Sequence, residues 1–429
     1  MKRVPLRLTL IGAVIGICLL VAFSIPHSVK RSHGMLPNQA YVWQRAWTPA
    51  VQSAVRTETA QFVELVYLAA EISFRPHIQV ARVSPDFKSM ASLGHPVGVA
   101  LRIGPYRGRF EAHDAVAREL CELAQSVVDE AKAGGLKVAE LQVDFDCPEA
   151  KLDGYRIWIS AIKHRLAPTP VVITALPSWL KRKEFKPLAA EADSYVLQVH
   201  SLEKPSSIDA PMTLCDPAAA RRAVEQAGRI GIRFRVALPT YGYRVAFDQR
   251  GKFVGLGAEA TAGIENSQIQ TRELCTDSIA MAGLVRTWTS DRPACLTGVI
   301  WYRLPVSDDT LNWRWDTLQM VIGGRDPVGK TVATVRETQP CLFDVELANC
   351  GDADTSVPKR VIFRWRNAEL VAVDSLAGFD RQAQANSVIF EAPELVAGQR
   401  LAPGDRLPIG WLRLSADKEV HADASTFKS

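Results

Sequence analysis

The stretch that most constrains this chain is residues 138–148, VAELQVDFDCP, where polar and apolar side chains alternate with a period of two. From residue 141 to residue 146 the odd positions are apolar, whereas the even positions carry Gln142, Asp144 and Asp146 on the opposite face of a strand. A strand covered on both faces is normally apolar throughout, so polar side chains on one face need a network, a cavity or a substrate. The pattern predicts a strand of a closed parallel barrel, with its polar face toward the barrel mouth.

Short apolar runs alternate with helical patterns from residue 40 to about residue 324, which predicts repeated βα units around a parallel sheet. Eight runs are predicted as strands: residues 41–47, 62–68, 96–103, 138–146, 171–176, 195–200, 234–239 and 298–303. Asp216 and Pro217 have the cap and first residue of a helix, and Gly228 and Gly231 lie near its end. Eight strands close a TIM barrel. We therefore predict an α/β fold, a (β/α)8 TIM barrel over residues 36–324, in which residues 71–92 fit least well.

The periodicity changes after the barrel. Residues 330–415 are short alternating runs separated by turn residues, which predicts a small C-terminal β-sandwich domain. This segment has no acid cluster, so its expected role is to cover the barrel or to pack against a partner, with a carbohydrate-binding module as the alternative. The polar residues 416–429 are expected to form a flexible tail.

The N-terminus has the layout of an export signal. Lys2, Arg3 and Arg7 precede the apolar residues 8–23, and polar sequence follows. Residues 1–24 are therefore a signal peptide or an uncleaved N-terminal membrane anchor, because sixteen apolar residues are only a little short of a membrane span. Either interpretation places the protein in the periplasm or cell envelope, with membrane contact only through residues 1–24 if they are retained.

Charge and cysteine content exclude several classes of site. The net charge is +5 and falls to +2 without the three basic residues of the N-terminus, which argues against a nucleic-acid partner. Apart from Cys18 there are seven cysteines, among which Cys341 with Cys350 is the most local candidate disulfide and Cys275 with Cys295 a weaker one. No CxxC motif and no His and Cys pair with metal-ligand spacing occurs, so no metal site and no cofactor are predicted.

Three segments, in order along the chain, resemble glycoside hydrolase family eighteen, the chitinase-like barrels. QVDFDCP at residues 142–148 resembles the signature Asp-x-Asp-x-Glu-x-Pro of that family's fourth strand. ALPTYGYRV at residues 237–245 resembles its seventh strand and following turn, and TGVIWYRL at residues 297–304 resembles its eighth strand. The region as a whole also resembles a bacterial family known as a conserved domain of unknown function, which implies no activity.

The chitinase-like resemblance implies a role for each matching residue. Asp146 stands in the place of the catalytic acid, Asp144 in that of the Asp that orients it, Gln142 in that of the preceding Asp, and Trp301 in that of the sugar-binding floor. In such a mechanism the substrate's own acetamido group attacks the anomeric carbon. Asp is one methylene shorter than Glu, so this acid reaches less far toward the leaving oxygen. The resemblance therefore implies an exported barrel acting on an envelope glycan as a glycosidase, or a non-catalytic glycan-binding or scaffold protein.

Other residues are expected at the same edge, each with a structural alternative. Gln198 and His200 share a face of their strand, and an ordinary histidine pKa suits proton transfer, although a core histidine is equally compatible. Tyr241 and Arg303 are further substrate-binding candidates, but Arg303 and Asp144 would also fit a buried ion pair. Asp144 and Asp146 would also fit loop caps.

Aromatic residues near the same edge could offer flat faces to sugar rings, although aromatic residues also dominate cores. They are Trp43, Trp47, Trp179, Tyr241, Tyr243, Trp301 and Tyr302. A loop-bracing role is as compatible as substrate contact for Asp308, Asp309, Asn312 and Trp313.

Overall fold

The computed structural model describes residues 29–74, 77–112, 114–257, 269–415 and 421–427. The predicted signal or anchor, residues 1–24, lies outside the described residues. Among the residues that are described, no helix is both long and apolar enough to cross a membrane.

Strands and helices are numbered here in chain order over the described residues. The strands that precede residue 303 are β1 (Arg31–Ser32), β2 (Asn38–Val42), β3 (Glu64–Ser73), β4 (Gln79–Arg82), β5 (Val97–Ile103), β6 (Val138–Phe145), β7 (Val171–Ala175), β8 (Ser194–Gln198), β9 (Phe234–Pro239), β10 (Gly242–Phe247), β11 (Phe253–Gly257), β12 (Gln270–Cys275), β13 (Arg292–Pro293) and β14 (Leu296–Tyr302). The helices are α1 (Pro49–Thr57), α2 (Phe87–Ala91), α3 (Ala115–Ala133), α4 (Leu152–Leu166), α5 (Phe185–Glu191), α6 (Pro217–Ile230), α7 (Ser278–Ser290) and α8 (Trp315–Ile322).

Eight parallel strands within the described residues close into a barrel. Strands β2, β3, β5, β6, β7, β8, β9 and β14 pair in this order, and β14 pairs in turn with β2. The predicted (β/α)8 barrel is therefore confirmed, and each of its strands overlaps a run predicted from the sequence. The poorly fitting residues 71–92 contain the end of β3, the antiparallel strand β4 that pairs with it, and the short helix α2.

Local chemistry fixes the helices that surround the barrel. The Asp216 side chain accepts hydrogen bonds from the first backbone N–H groups of α6, Pro217 is its first residue, and Gly231 at φ +80° ends it, as the sequence predicted. Asp114 and Asp277 cap α3 and α7 in the same way. The apolar stripes of these helices pack on the outward side chains of the strands and form the larger core.

The chain beyond α8 forms a second, all-β unit. Its strands are β15 (Thr331–Gln339), β16 (Leu342–Asn349), β17 (Thr355–Ser356), β18 (Arg360–Arg366), β19 (Leu370–Ser375), β20 (Asp380–Gln384), β21 (Ser387–Glu391), β22 (Arg400–Leu401), β23 (Arg406–Leu414) and β24 (His421–Phe427). Two four-stranded antiparallel sheets, β15-β16-β23-β19 and β20-β21-β18-β24, enclose a separate apolar core that includes Phe363 and Ile409. This arrangement is the predicted β-sandwich. The boundary at residues 324–330 and the role of the domain stay predictions.

Two expectations about the C-terminal part are wrong. Residues 421–427, expected in a flexible tail, pair as β24 with β18, because a free strand edge offers unpaired backbone groups. Cys341 and Cys350 are both free and flank the eight-residue strand β16, which holds them roughly 30 Å apart, far beyond disulfide reach. Cys275 and Cys295 are also free.

Arg400 of the sandwich docks onto the barrel through the loop that follows β14. Its Nη2 donates a hydrogen bond to the backbone oxygen of Asn312 at 2.8 Å, and its Nη1 donates to that of Thr310. The Asp354 carboxylate, 2.8 Å from Nε, balances the charge of this guanidinium. The sandwich therefore braces a loop next to the barrel mouth.

Candidate functional site

A cavity of about 360 Å³ opens at the C-terminal ends of the barrel strands, where TIM-barrel sites lie. We call it the mouth cavity. It is lined by Tyr41, Trp43, Arg102, Asp144, Asp146, Thr174, Leu176, Gln198, His200, Ser201, Leu202, Tyr241, Tyr243 and Tyr302. The sequence had singled out Asp144, Asp146, Gln198, His200 and Tyr241 as site residues, and the fold brings these five together.

Asp144 lies at the bottom of the mouth cavity and is almost fully buried. Its Oδ1 accepts hydrogen bonds from the Thr174 hydroxyl at 2.8 Å and from the Gln198 amide at 3.2 Å, while its Oδ2 is 3.3 Å from Nη1 of Arg102. Burial raises the pKa of Asp144, and the Arg102 guanidinium opposes that rise. Asp144 is thus a buried carboxyl group that accepts three hydrogen bonds, one of them from a basic side chain.

Asp146 follows the last residue of β6 and is exposed at the rim of the mouth cavity. It lies two residues beyond Asp144, so the two carboxyl groups face the same opening, one buried and one accessible to ligand. An exposed acid above a buried, hydrogen-bonded acid is an arrangement in which the two groups can take different chemical roles.

Gln142 lies below the cavity and does not line it. Its Oε1 accepts a 2.6 Å hydrogen bond from the Tyr41 hydroxyl, and its Nε2 donates one of 2.6 Å to Glu140. Both ends of the amide are therefore used inside the barrel, and Gln142, expected among the substrate-binding residues, does not line the cavity. Burial leaves only 1% of this residue exposed.

The residues around Gln142 form a polar layer that we call the floor network: Gln39, Glu64, Glu140, Gln142 and Arg235. Arg235 donates to Glu140 at 2.7 Å and to Gln39 at 2.8 Å, and Gln39 donates to Glu64 at 2.8 Å. Tyr41 joins this layer to the mouth cavity, because its hydroxyl reaches Gln142 while its ring lines the cavity.

Aromatic rings form one wall of the mouth cavity. The Tyr302 ring packs against those of Tyr41, Trp43 and Tyr241 at centroid distances of 5.8, 5.5 and 5.3 Å. The hydroxyl of Tyr241 also donates to that of Tyr243 at 3.3 Å. Such a wall offers apolar faces to the C–H groups of a sugar ring, with hydroxyl groups at its edge.

His200 completes this wall and keeps an unsatisfied nitrogen. Its ring stacks on Tyr302 at 5.4 Å, and its buried Nε2 has no hydrogen-bond partner among the described residues. Burial lowers the pKa of His200 from 6.5 to about 4, so the imidazole is neutral at neutral pH. A neutral, unpartnered ring nitrogen suits hydrogen bonding to a ligand better than the proton transfer that an ordinary histidine pKa had suggested.

Trp301 does not line the cavity, although the resemblance gives it the place of the sugar-binding floor. Ile300 and Tyr302 face the barrel interior, so Trp301 faces outward, where it is fully buried. Its indole N–H donates to Asn38 at 2.9 Å, and its ring packs against Trp313. The wall residue of β14 is therefore Tyr302. Trp179 is likewise in the outer core, and Trp47 packs against that core.

Arg303 is also outside the mouth cavity. Its Nε and Nη2 donate to Oδ2 of Asp309 at 3.1 and 2.5 Å, and both side chains are largely covered. The side chain of Asn312 donates to the Arg303 backbone oxygen at 3.2 Å. The expected ion pair between Arg303 and Asp144 is replaced by these contacts. Arg303, Asp309 and Asn312 brace the loop after β14, and the partner of Asp144 is Arg102.

Sequence reasoning missed Arg102, Thr174 and Tyr41. Each faces the barrel interior from a strand adjacent to or across from β6, and the register of β5 and β6 places Arg102 directly opposite Asp144. The available signal was the single polar residue near the end of an otherwise apolar run, as in VGVALRI. Among the described residues, no three His, Cys, Asp or Glu side chains gather into a group that could hold a metal ion.

Comparison with solved structures gives distant matches. The spore cortex-lytic enzyme SleL of Bacillus megaterium has a TM-score of 0.47 and 13% identity, over 69% of this chain and 75% of that one. A chitinase from Chromobacterium violaceum has a TM-score of 0.45 and 14% identity, over 67% and 99%. Likeness at this level carries no conclusion about activity, and the fold described above rests on the strand pairing of the chain itself.

Comparison with curated proteins gave no match. Two family models match the chain, one over each part of the fold. Residues 332–415 match the domain of unknown function DUF8456, which corresponds to the sandwich. Residues 94–307 match the domain of unknown function DUF3142, which spans β5 to β14 and includes both aspartates of the site. Over most of its barrel the chain is therefore similar to the DUF3142 family, as the resemblance to a domain of unknown function implied.

Proposed function

We propose that this protein is a glycoside hydrolase that acts on an N-acetylated glycan of the cell envelope. The observation that carries the proposal is the pair at the end of β6: exposed Asp146 at the rim, two residues beyond buried Asp144, in a cavity walled by aromatic rings. The likeness of QVDFDCP to the chitinase-like signature supports the same assignment.

In this proposal Asp146 donates the proton to the leaving glycosidic oxygen. The acetamido oxygen of the substrate attacks the anomeric carbon as the glycosidic bond breaks, and water, deprotonated by the Asp146 carboxylate, then opens the cyclic intermediate and leaves the free sugar. Asp144, held by Thr174 and Gln198, accepts the acetamido N–H and stabilises the positive charge that develops on that group. Tyr302 provides the face on which the sugar ring packs, and Nε2 of His200 hydrogen-bonds a sugar hydroxyl.

A non-catalytic glycan-binding protein is the second candidate, and one observation favours it. The residue in the acid position is Asp, and a displacement of about 1 Å can lower a rate roughly a hundredfold. The same cavity would then bind the glycan without cleaving it.

Mutants of Asp146 separate the two candidates. We expect Asp146→Asn to bind N-acetylated oligosaccharides with unchanged affinity and to lose about 10²–10⁴-fold in turnover, because the amide keeps the shape but donates no acidic proton. Asp146→Glu should keep or increase turnover, since it restores the longer acid. Trp301→Phe, in the outer core, is the matched control and should leave affinity unchanged.

Calorimetry and reducing-end release, measured on a panel of N-acetylated and envelope glycans, decide the question. Binding without release by the wild type, with equal binding by Asp146→Asn, contradicts the enzyme and leaves the binding protein. Absence of both binding and release contradicts both candidates.

The proposed substrate requires a location outside the cytoplasmic membrane, which the basic and apolar residues 1–24 support. A fusion of residues 1–40 to a reporter that is active only after export tests this location. An inactive reporter contradicts it, and N-terminal sequencing of the mature protein distinguishes a signal peptide from an anchor.

A further inference from the structure

Arg102 has a place in the mouth cavity that neither the sequence motifs nor the family resemblance assigns. It lies on β5 directly opposite Asp144 of β6, with Nη1 3.3 Å from Oδ2 of that residue. Its side chain is 40% exposed, whereas that of Asp144 is 8% exposed. The guanidinium therefore lies between a buried carboxyl group and the ligand space.

Within the part of the chain that the structure describes, no other arginine and no lysine lines the mouth cavity. The groups that neighbour Asp144 are Asp146 just after β6, Thr174 on β7, Gln198 at the end of β8, and the hydroxyls of Tyr41, Tyr302 and Tyr155 from β2, β14 and α4. Burial raises the pKa of all three tyrosines, so these hydroxyls are neutral at neutral pH. Asp146 opposes ionisation of Asp144 through like charge.

Two residues below Asp144 on the same face, Gln142 contributes no charge and is engaged by Tyr41 and Glu140. Without Arg102, the carboxyl group of Asp144 would be driven toward its protonated form, because desolvation and the like charge of Asp146 both raise its pKa. A neutral carboxylic acid would lose most of its capacity to stabilise positive charge on a substrate.

We propose that Arg102 is a positioning residue that keeps Asp144 a carboxylate at neutral pH and so gives the mouth cavity a fixed negative charge beneath the ligand. The consequence for ligand choice is a preference for sugars that present an N–H or an ammonium group to Asp144 over sugars that present a carboxylate. Glu71 holds Arg102 from the other side at 3.9 Å and is itself paired with Arg45 at 2.6 Å, so charges alternate from the rim to Asp144.

The first test does not depend on catalysis. Unfolding in urea is measured from pH 4 to pH 8 for wild type, Arg102→Met, Asp144→Asn and the double variant. The Asp144 pKa should rise further in Arg102→Met, and a carboxyl group with a raised pKa in the folded state loses stability as pH rises through that value. We therefore expect the urea midpoint of Arg102→Met to fall below that of wild type increasingly toward pH 8.

The matched variants show whether this effect belongs to Asp144. In the Asp144→Asn background, Arg102→Met should add no pH-dependent loss. Arg102→Lys should retain most of the wild-type behaviour, since it keeps the charge. Glu71→Gln, which removes the other carboxylate beside Arg102, should leave the pH dependence as in wild type. A loss that is equal at all pH values and persists in the Asp144→Asn background would overturn the proposal.

The catalytic consequence rests on the proposed function and is measured separately. If the wild type releases sugars, the acidic limb of its kcat/KM profile should move to higher pH by about one unit or more in Arg102→Met, with Arg102→Lys in between. An unmoved limb contradicts the assigned role. If the wild type releases nothing, the proposed function fails, and the unfolding experiment still decides the charge of Asp144.

Discussion

The floor and the mouth of the barrel each place an arginine beside carboxyl groups, but the two sites differ in exposure and in how many of their polar groups have protein partners. In the floor network the side chain of Arg235 is 8% exposed and its guanidinium contacts Glu140 and Gln39. In the mouth cavity the side chain of Arg102 is 40% exposed, Asp146 is exposed, and Nε2 of His200 has no protein partner in the described part of the chain. Paired polar groups stabilise the floor, where Oε1 of Glu64 is also left without a partner among the described residues, whereas the unpaired groups of the mouth face a cavity that can hold a ligand.

Protonation of Glu64 explains how the floor network holds two carboxyl groups beside a single guanidinium. Burial and then the nearby charge of Glu140 raise the pKa of Glu64, so its carboxyl group holds a proton at neutral pH. Arg235 is left with one close carboxylate, Glu140. The floor thus has a balanced interior at neutral pH, while the mouth keeps two carboxyl groups against one guanidinium.

The largest expected effect is on the floor. Arg235→Met should lower the free energy of unfolding at pH 7 by about 3–5 kcal/mol, because it leaves a buried carboxylate without its counter-charge. The exposed pair Arg244–Glu273, with a similar separation of 2.8 Å, provides the control. Arg244→Met should cost less than about 1 kcal/mol. Equal losses of unfolding free energy in the two variants, measured by urea denaturation, would show that burial does not make the Arg235 pair more important for stability than the Arg244 pair.

The next effect concerns His200 at the mouth. Since its pKa is about 4 in the folded protein and about 6.5 in the unfolded chain, its contribution is complete above pH 6.5 and is lost as pH falls toward 4. His200→Gln should remove about 3 kcal/mol of this pH dependence. Urea unfolding at several pH values measures it, with exposed His164→Gln as control. Equal slopes in wild type and His200→Gln would show that the imidazole is not desolvated.

A smaller effect, on ligand affinity, tests whether the Tyr302 ring is part of the binding wall. Tyr302→Ala should weaken the affinity for an N-acetylated oligosaccharide about tenfold, or about 1.4 kcal/mol, because the sugar loses its packing face. Tyr302→Phe keeps the ring and should bind like the wild type. Calorimetric titration measures both variants. Unchanged affinity in Tyr302→Ala would remove this ring from the binding wall.

The smallest effect on stability is expected at Asp144, the buried carboxylate to which we assign a role in ligand binding. Asp144→Asn should change the free energy of unfolding at pH 7 by no more than about 1 kcal/mol, because it relieves desolvation of a carboxylate while Arg102 keeps Glu71 as a partner. Thermal and urea unfolding measure this change. A loss as large as that of Arg235→Met would mean that the mouth is a structural network like the floor.

The sequence predicted the barrel and the location of its acids because both follow from local periodicity. Alternation along β6 is enough to put Asp144 and Asp146 on one face, and the other strand ends follow from their apolar runs. Cross-strand partners were not predictable in the same way, since the pairing of Arg102 with Asp144 depends on the register of two segments 42 residues apart. The predicted placement of Trp301 in the cavity was wrong for a related reason. A shift of one residue along a strand moves a side chain from the barrel interior to the outer core, and a motif match does not determine the position to within one residue.

The docking of Arg400 has a consequence for how the chain tolerates change. This guanidinium contacts backbone oxygens at Thr310 and Asn312, which every residue type supplies. Side chains at position 310 can therefore be exchanged without loosening the attachment of the sandwich. The loop beside the mouth is free to diversify in sequence while its path stays fixed, which gives selection a way to alter the rim of the cavity without remaking the contact between the two domains.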